Sequence, residues 1–154
     1  MDESLPLSVT HEVRDRCLCL HVQRAARAAA RLFDDALKPV GLTNGQYSLL
    51  MALNRPVPAR IVDLVPFLAM DRTTLTAALK PLERRGLVEI AADPMDRRTK
   101  RLRLTQDGRT VLARAVPIWR DTHDLLDTLI GDVDGDALRR DLRAIGAVRR
   151  PPHR

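Results

Sequence analysis

The sequence has very few aromatic residues. Trp, Tyr and Phe together make up 3% of the 154 residues, whereas 45% of the chain is hydrophobic and rich in Leu, Ala and Val. Good helix formers without aromatic or β-branched runs favour helices over sheets. We therefore expect a mainly α-helical protein that folds as one domain over residues 1–154.

Cysteine is also scarce, since Cys17 and Cys19 are the only two in the chain. They lie in a stretch with helical periodicity, where side chains two positions apart point to nearly opposite sides, so we expect no intrachain disulfide. Cys17 and His21 share a helix face, but two ligands are too few for a closed zinc site. We predict no metal site and no cofactor.

Membrane and catalytic signals are missing as well. No apolar stretch approaches the roughly 18 to 20 residues that span a bilayer, and the polar, acidic start of the chain lacks the features of a signal peptide. The sequence contains no Gly-rich phosphate loop, no Gly-x-Ser-x-Gly elbow and no His-Glu-x-x-His pair. These absences predict a cytoplasmic protein that is neither membrane-bound nor an enzyme.

Positive charge is in excess and is concentrated in one segment. The formal net charge is +6, and between Met70 and Arg103 nine basic residues stand against five acidic ones. A basic segment of this kind attracts polyanions such as nucleic acid or acidic lipid.

Apolar residues recur at helical spacing in six segments, and a hairpin pattern follows the fourth. The predicted helices cover about 10–38, 43–53, 61–68, 71–86, 105–130 and the region after 134. We expect Pro66 to bend or shorten the third helix and Pro117 to kink the fifth. The third and fourth helices, with a short turn between them, form a helix-turn-helix pattern. After Gly86 the apolar period changes to two, which predicts two strands joined by a basic loop from Ala92 to Lys100.

The fourth helix has an outward face suited to the DNA major groove. When Leu75 points inward, small, hydroxyl-bearing and basic side chains point outward or to the shoulders: Thr73, Thr74, Thr76, Ala77, Lys80 and Arg84. Threonine can contact base edges, and lysine can reach guanine or phosphate. Taken alone, the helix could equally be an ordinary solvated amphipathic helix.

The basic hairpin favours the DNA-binding interpretation, because it projects beside this helix where the duplex backbone and minor groove would lie. Its cations are Arg97, Arg98, Lys100, Arg101 and Arg103. We expect Asp96 to orient Arg98 rather than to contact DNA.

Four motifs occur in order: Met70 to Thr76, Leu82 to Val88, Asp96-x-Arg98 and Leu104-Thr105-x-x-Gly108. The chain resembles, over nearly its whole length, the MarR family of bacterial regulators. The resemblance implies a winged helix-turn-helix lobe at 43–105 and dimerisation helices at 10–38 and 106–147. It also implies that Thr73, Thr74, Thr76 and Lys80 face bases or phosphates and that Arg98 faces the minor groove. With the neighbouring cations, the predicted DNA-binding residues are Arg72, Thr73, Thr74, Thr76, Lys80, Arg97, Arg98 and Lys100. The chain departs from the family pattern at Ala77, Ala69 and Pro66.

The resulting hypothesis is a homodimeric, sequence-specific transcriptional regulator, acting as a repressor on a pseudo-palindromic operator in double-stranded DNA. A small-molecule effector would set its DNA affinity, with Trp119 and His123 as candidate pocket residues and ordinary packing as the alternative for both. Two other classes stay open: a sequence-indifferent architectural DNA-binding protein, and a protein-interaction module that has lost DNA binding.

Oxidation sensing is a further alternative. Cys19 falls at the position of the reactive cysteine in the peroxide-sensing branch of the family. Gln23 and Phe33 stand where that branch has two tyrosines that stabilise the thiolate. Gln23 can still donate a hydrogen bond, but Phe33 cannot.

Overall fold

The computed structural model describes residues 5–148, which form seven α-helices, a short 3-10 helix and a three-stranded sheet. The helices are α1 (Leu7–Arg16), α2 (Leu18–Leu37), α3 (Asn44–Leu53), α4 (Ile61–Leu68), α5 (Arg72–Arg84), α6 (Gln106–Leu129) and α7 (Gly135–Gly146). The strands are β1 (Ala59–Arg60), β2 (Val88–Ala92) and β3 (Lys100–Leu104). The mainly helical fold class with a small wing is therefore confirmed.

The prediction of a single first helix over 10–38 is wrong, because Cys17 interrupts it and separates α1 from α2. The backbone of Cys17 is extended, with ψ at 98°, while its N–H still donates to the Val13 carbonyl at 3.0 Å and closes α1. Its Sγ accepts the Leu20 N–H at 3.4 Å and caps α2. No proline or glycine marks the break, so the apolar pattern runs through it. Both cysteines are free thiols.

The helix-turn-helix consists of α4, a three-residue turn and α5. Helix α4 keeps its predicted span although Pro66 lies within it, so the expected shortening does not occur. The turn begins at Ala69, whose φ of 51° is left-handed and costly for a residue with a Cβ. Asp71 then caps α5 by accepting the Thr74 N–H at 2.9 Å, as predicted.

The wing is an antiparallel hairpin of β2 and β3, in which Val88 faces Leu104 and Glu89 faces Arg103. The connecting loop, residues 93–99, is shorter than predicted because the strands extend further towards the tip. Strand β1 also pairs with β3, which gives the order β1-β3-β2. Two residues are too few to show an alternating pattern, so β1 was not predicted.

The start of α6 is held against the end of α5. The Thr105 hydroxyl accepts the Gly108 N–H at 3.0 Å and donates to the Gly86 carbonyl at 2.6 Å. A Cβ at Gly108 would lie 2.0 Å from the Leu87 carbonyl oxygen. The Leu-Thr-x-x-Gly motif is thus a helix cap joined to a close backbone contact. From there α6 runs through Pro117 without a break.

The hydrophobic core lies mainly within the winged-helix lobe, where Leu64 of α4 and the leucines of α3, α5 and β3 are almost fully buried. In contrast, none of the residues of α1 or α7 is buried. Their apolar side chains, together with those at the end of α6, are exposed: Leu7, Val9, Val13, Leu125, Leu129, Leu138, Leu142 and Ile145. None of the helices within residues 5–148 is long and apolar enough to cross a membrane.

Candidate nucleic-acid interface

One face of α5 collects four of the eight residues predicted to contact DNA. Leu75, Leu79 and Leu82 are buried on the inner side of the helix. The outer side is exposed and borders an open groove of about 320 Å³, which is lined by Arg72, Thr73, Thr76, Ala77 and Lys80. The groove therefore carries two cations and two hydroxyls on a surface with no bulky side chain at its centre.

The three threonines at the start of α5 differ in their hydrogen bonds. The hydroxyl and N–H of Thr74 both donate to Asp71, at 2.6 and 2.9 Å, and hold the pKa of that carboxyl below its ordinary value. The Thr76 hydroxyl donates to the Arg72 carbonyl at 2.7 Å, so its hydrogen is already used within the helix. Within residues 5–148 the Thr73 hydroxyl has no hydrogen-bond partner, so it is the one with an unused donor.

Two aspartates order the wing loop. The buried Asp93 accepts the Met95 N–H at 2.8 Å and pairs with the Arg101 guanidinium, and both contacts lower its pKa. Asp96 accepts the Arg98 N–H at 3.0 Å and the Thr99 hydroxyl at 2.9 Å. Asp96 therefore fixes the backbone at Arg98. Within residues 5–148 Asp96 forms no ion pair with the Arg98 guanidinium.

Two of the wing cations do not project towards a ligand, contrary to expectation. Arg101 is held by Asp93, and Arg103 pairs with Glu89 on the neighbouring strand through Nη2 to Oε2 at 2.8 Å. The other three, Arg97, Arg98 and Lys100, are exposed and have no ion pair anywhere in residues 5–148. The wing thus presents three unpaired cations at and next to its loop.

The start of α4 carries a further ionic contact that the sequence did not reveal. Asp63 accepts the Arg60 N–H at 2.9 Å and pairs with the Arg60 guanidinium at the same distance. These contacts lower the pKa of Asp63 to about 2. An Arg-x-x-Asp spacing before an apolar helix is the available signal, although arginine is an uncommon capping residue.

Trp119 and His123 belong to a cluster of rings that joins α2, α3 and α6. The Trp119 and His123 ring centroids are 4.4 Å apart, and His123 lies 4.7 Å from Phe33. Tyr47 stacks on Trp119 with the ring centroids 6.0 Å apart, and burial raises the pKa of the Tyr47 hydroxyl. Phe33 and Tyr47 are buried, whereas Trp119 and His123 are half-buried. The cluster packs the long helices against the winged-helix lobe and leaves one edge accessible.

Cys19 is exposed on α2, and its Sγ accepts a hydrogen bond from Gln23 Nε2 at 3.2 Å. Gln23 is itself oriented by Arg27, whose Nη2 donates to Gln23 Oε1 at 3.3 Å. Phe33 packs on His123 instead. One of the two expected positions therefore supplies a donor to the thiol.

The chain matches known proteins in both sequence and fold. The family model described as MarR family matches residues 42–100. The transcriptional regulator MosR of M. tuberculosis, solved in complex with DNA, is 37% identical; the match covers 85% of this chain and 94% of MosR with a TM-score of 0.77. The transcriptional repressor CouR, bound to a 23-mer DNA duplex, is 32% identical, with coverages of 92% and 97% and a TM-score of 0.76.

A third structure concerns regulation by a small molecule. It addresses how 6-hydroxynicotinic acid regulates DNA binding by BpsR of Bordetella bronchiseptica, which is 25% identical with a TM-score of 0.74, over 86% of this chain and 94% of BpsR. Curated relatives are matched over 45% to 78% of their own length. The identity to MosR over almost all of that protein, together with the family model and the shared fold, shows that this chain belongs to the MarR family of winged-helix regulators.

Proposed function

We propose that this protein is a sequence-specific DNA-binding transcriptional regulator that occupies a two-fold symmetric operator and represses transcription there. The observation that carries the proposal is the outer face of α5, with two cations and two threonine hydroxyls, beside a wing with three cations that form no ion pair within residues 5–148. A helix of this kind fits the major groove, and a basic wing fits the adjacent minor groove. The DNA complexes of MosR and CouR support the same interpretation.

The side chains divide into two roles. Thr73, Thr76 and Lys80 lie where base edges would be read, and Thr73 has the free donor. The cations around them supply phosphate and minor-groove contacts, and these are Arg72, Arg97, Arg98 and Lys100. Thr74 acts indirectly, because its hydroxyl is committed to the cap at Asp71.

In this proposal the protein is a dimer, so the operator must contain two half-sites, one for each copy. Residues 10–38 and 106–147 would form the dimer interface, and 43–105 the DNA-binding lobe. The support is the row of exposed apolar side chains on α1, α7 and the end of α6, which a single copy leaves in water. A two-fold dimer places its recognition helices in two major grooves one helical turn apart.

A small aromatic effector would modulate DNA affinity at the half-buried edge of Trp119 and His123. This edge joins α6 to the winged-helix lobe, so a bound molecule would alter how the lobe is held. Regulation of BpsR by 6-hydroxynicotinic acid supports the idea. Because Trp119 is the only tryptophan, its fluorescence should change on binding and the change should be lost in His123→Ala.

A second candidate function is oxidation sensing at Cys19, which the hydrogen bond from Gln23 favours. An organic hydroperoxide would transfer one oxygen to the thiolate, giving a sulfenic acid and an alcohol. Hydroperoxide should then weaken DNA binding by the wild type and leave Cys19→Ser unaffected. Identical responses of the two proteins would assign Cys19 to packing.

Selection of binders from a library of random duplexes tests the proposed function. We expect enrichment of an inverted repeat whose half-site centres lie about 10 base pairs apart. Equal retention of unrelated duplexes would instead identify an architectural DNA-binding protein. Failure to retain any duplex would favour a protein-interaction module.

A further inference from the structure

Two clefts flank the loop between α3 and β1, and both are lined by arginines. The larger cleft, of about 430 Å³, is lined by Arg55, Arg60 and Arg101 together with Asp63. Arg60 pairs with Asp63 at 2.9 Å, and Arg101 pairs with the buried Asp93. Two of the three arginines in the larger cleft are therefore neutralised by carboxylates, and the third, Arg55, also lines the second cleft.

The second cleft, of about 300 Å³, differs because its lining has three arginines and no carboxylate. Arg55, Arg103 and Arg109 face it together with Asn54, and leucine and proline side chains complete the wall. The cleft lies between the α3–β1 loop, the end of β3 and the first turns of α6. An occupant would therefore touch the base of the wing.

The three arginines have different partners. Arg103 is neutralised by Glu89, which lies outside the lining. The Arg109 guanidinium donates to the Leu104 carbonyl at 3.1 Å and to Gln106 Oε1 at 3.2 Å, and these neutral acceptors orient it without cancelling its charge. Within residues 5–148 the Arg55 guanidinium has no hydrogen bond or ion pair. Neither Arg55 nor Arg109 thus forms an ion pair within residues 5–148, and Arg55 interacts with the Asp63 carboxylate only through longer-range charge attraction.

Such an arrangement suits a phosphate group. Guanidinium groups donate pairs of hydrogen bonds to phosphate oxygens, and a phosphate monoester carries a charge of about −1.5 to −2 near neutral pH. We propose that this cleft binds a phosphate group through Arg55 and Arg109, with Arg103 and the Asn54 amide at its border. The site shares no residue with the α5 groove or with the unpaired cations of the wing.

A phosphate could come from a small phosphorylated molecule or from the DNA backbone flanking the operator.

The first arm of the test needs no DNA. Inorganic phosphate is titrated into the full-length protein while the arginine side-chain N–H signals are followed by NMR. We expect saturable shifts in the wild type. Arg55→Ala should weaken binding about tenfold or more, as expected for one lost charge-assisted contact.

Two variants complete this arm. Arg109→Gln should weaken phosphate binding to a similar extent. Arg114→Ala is the control: Arg114 is an exposed arginine of α6 that lines neither cleft, so this change should leave phosphate binding unchanged. Because Arg55 has no partner within residues 5–148, its truncation should not disturb folding. Phosphate affinities that do not differ between wild type, Arg55→Ala and Arg109→Gln would overturn the free-phosphate site.

The second arm compares a duplex of operator length with one extended by a helical turn at each end. If the cleft holds DNA phosphates, the extension should strengthen wild-type binding, and Arg55→Ala should abolish that gain. Phosphate binding that depends on Arg55, without such a gain, identifies a small phosphorylated ligand. If neither free phosphate nor the duplex extension depends on Arg55, the proposal is wrong, whatever α5 and the wing do with DNA.

Discussion

At the scale of single residues, Gly108 is the position where the backbone leaves least room. A Cβ there would lie 2.0 Å from the Leu87 carbonyl oxygen, a backbone atom that cannot move without shifting the end of α5. The glycine of the Leu-Thr-x-x-Gly motif is therefore required by a contact between α6 and the chain entering β2, and not by an unusual φ at Gly108.

Gly108→Ala is expected to lower the free energy of unfolding by about 3 kcal/mol or more, because overlap with backbone cannot be relieved by a rotamer change. Gly45→Ala is the control, since its Cβ would meet only the Thr43 hydroxyl at 4.0 Å. That change should be neutral or stabilising by up to about 1 kcal/mol. Urea denaturation measures both, and equal stabilities of the two variants would contradict the close contact.

At this scale the sequence could predict only features that depend on residues close together in the chain. Asp71, Thr105 and Asp134 cap the helices predicted to begin at or near them, and each cap depends only on residues two or three positions apart. The break at Cys17 could not be predicted, because neither proline nor glycine marks it. The left-handed Ala69 was visible only as a departure from the family pattern, in which glycine often occupies that turn.

At the scale of elements, the start of α4 depends on an ionised carboxylate. The pKa of Asp63 is lowered to about 2 by Arg60, so the ionised form stabilises the folded state. This stabilisation is complete above the ordinary pKa of about 3.9 and is lost as the pH falls towards 2.

The free-energy difference between wild type and Asp63→Asn should therefore be constant from about pH 7 to pH 5 and should shrink below about pH 4. Urea denaturation at a series of pH values measures it. Asp121→Asn removes an exposed carboxylate from α6 and controls for the loss of one charge. A difference between wild type and Asp63→Asn that grows on acidification would contradict the assigned contact.

The contribution of the wing to DNA binding can be tested separately from that of α5. Arg98→Ala should weaken binding to all duplexes and lower the slope of log affinity against log salt concentration by about 0.9 per copy, or about 1.8 for the dimer, because each wing loses one phosphate contact. Arg114→Ala, on α6, serves as the control. An unchanged slope in Arg98→Ala, measured by fluorescence anisotropy over a salt series, would remove the wing from the interface.

The sequence predicted the wing and its basic loop, but not which cations are free. Arg101 and Arg103 looked equivalent to Arg97 and Arg98 in the sequence. Their pairing depends on strand register, which sets Arg103 opposite Glu89, and on the buried position of Asp93. Strand β1 was missed for a related reason, since two residues become a strand only through their partner β3.

At the scale of the whole molecule, the isolated chain leaves the apolar faces of α1 and α7 uncovered. Leu142 lies on the apolar face of α7 and is 43% exposed. If a second copy covers this face, wild type should sediment as a dimer at micromolar concentration.

Leu142→Asp should raise the dissociation constant of the dimer by at least about a hundredfold. One leucine is lost from each copy, and each buried leucine contributes about 1.5 kcal/mol or more. Arg140→Ala, an exposed position on the same helix, should leave the dimer intact. A wild-type protein that sediments as a stable monomer would rule out the dimer, and it would also rule out an operator of two half-sites.

The central claim is that α5 reads DNA sequence through the free hydroxyl of Thr73, and one measurement tests it most directly. The affinity of wild type and Thr73→Ala is determined for the duplex enriched from a random library and for a scrambled duplex of the same composition. Since a specific base contact contributes about 1 to 3 kcal/mol of discrimination and the dimer loses one in each half-site, the ratio of the two affinities should fall about thirtyfold or more in the variant, while binding to the scrambled duplex should stay unchanged. A ratio that is the same in both proteins would contradict the claim.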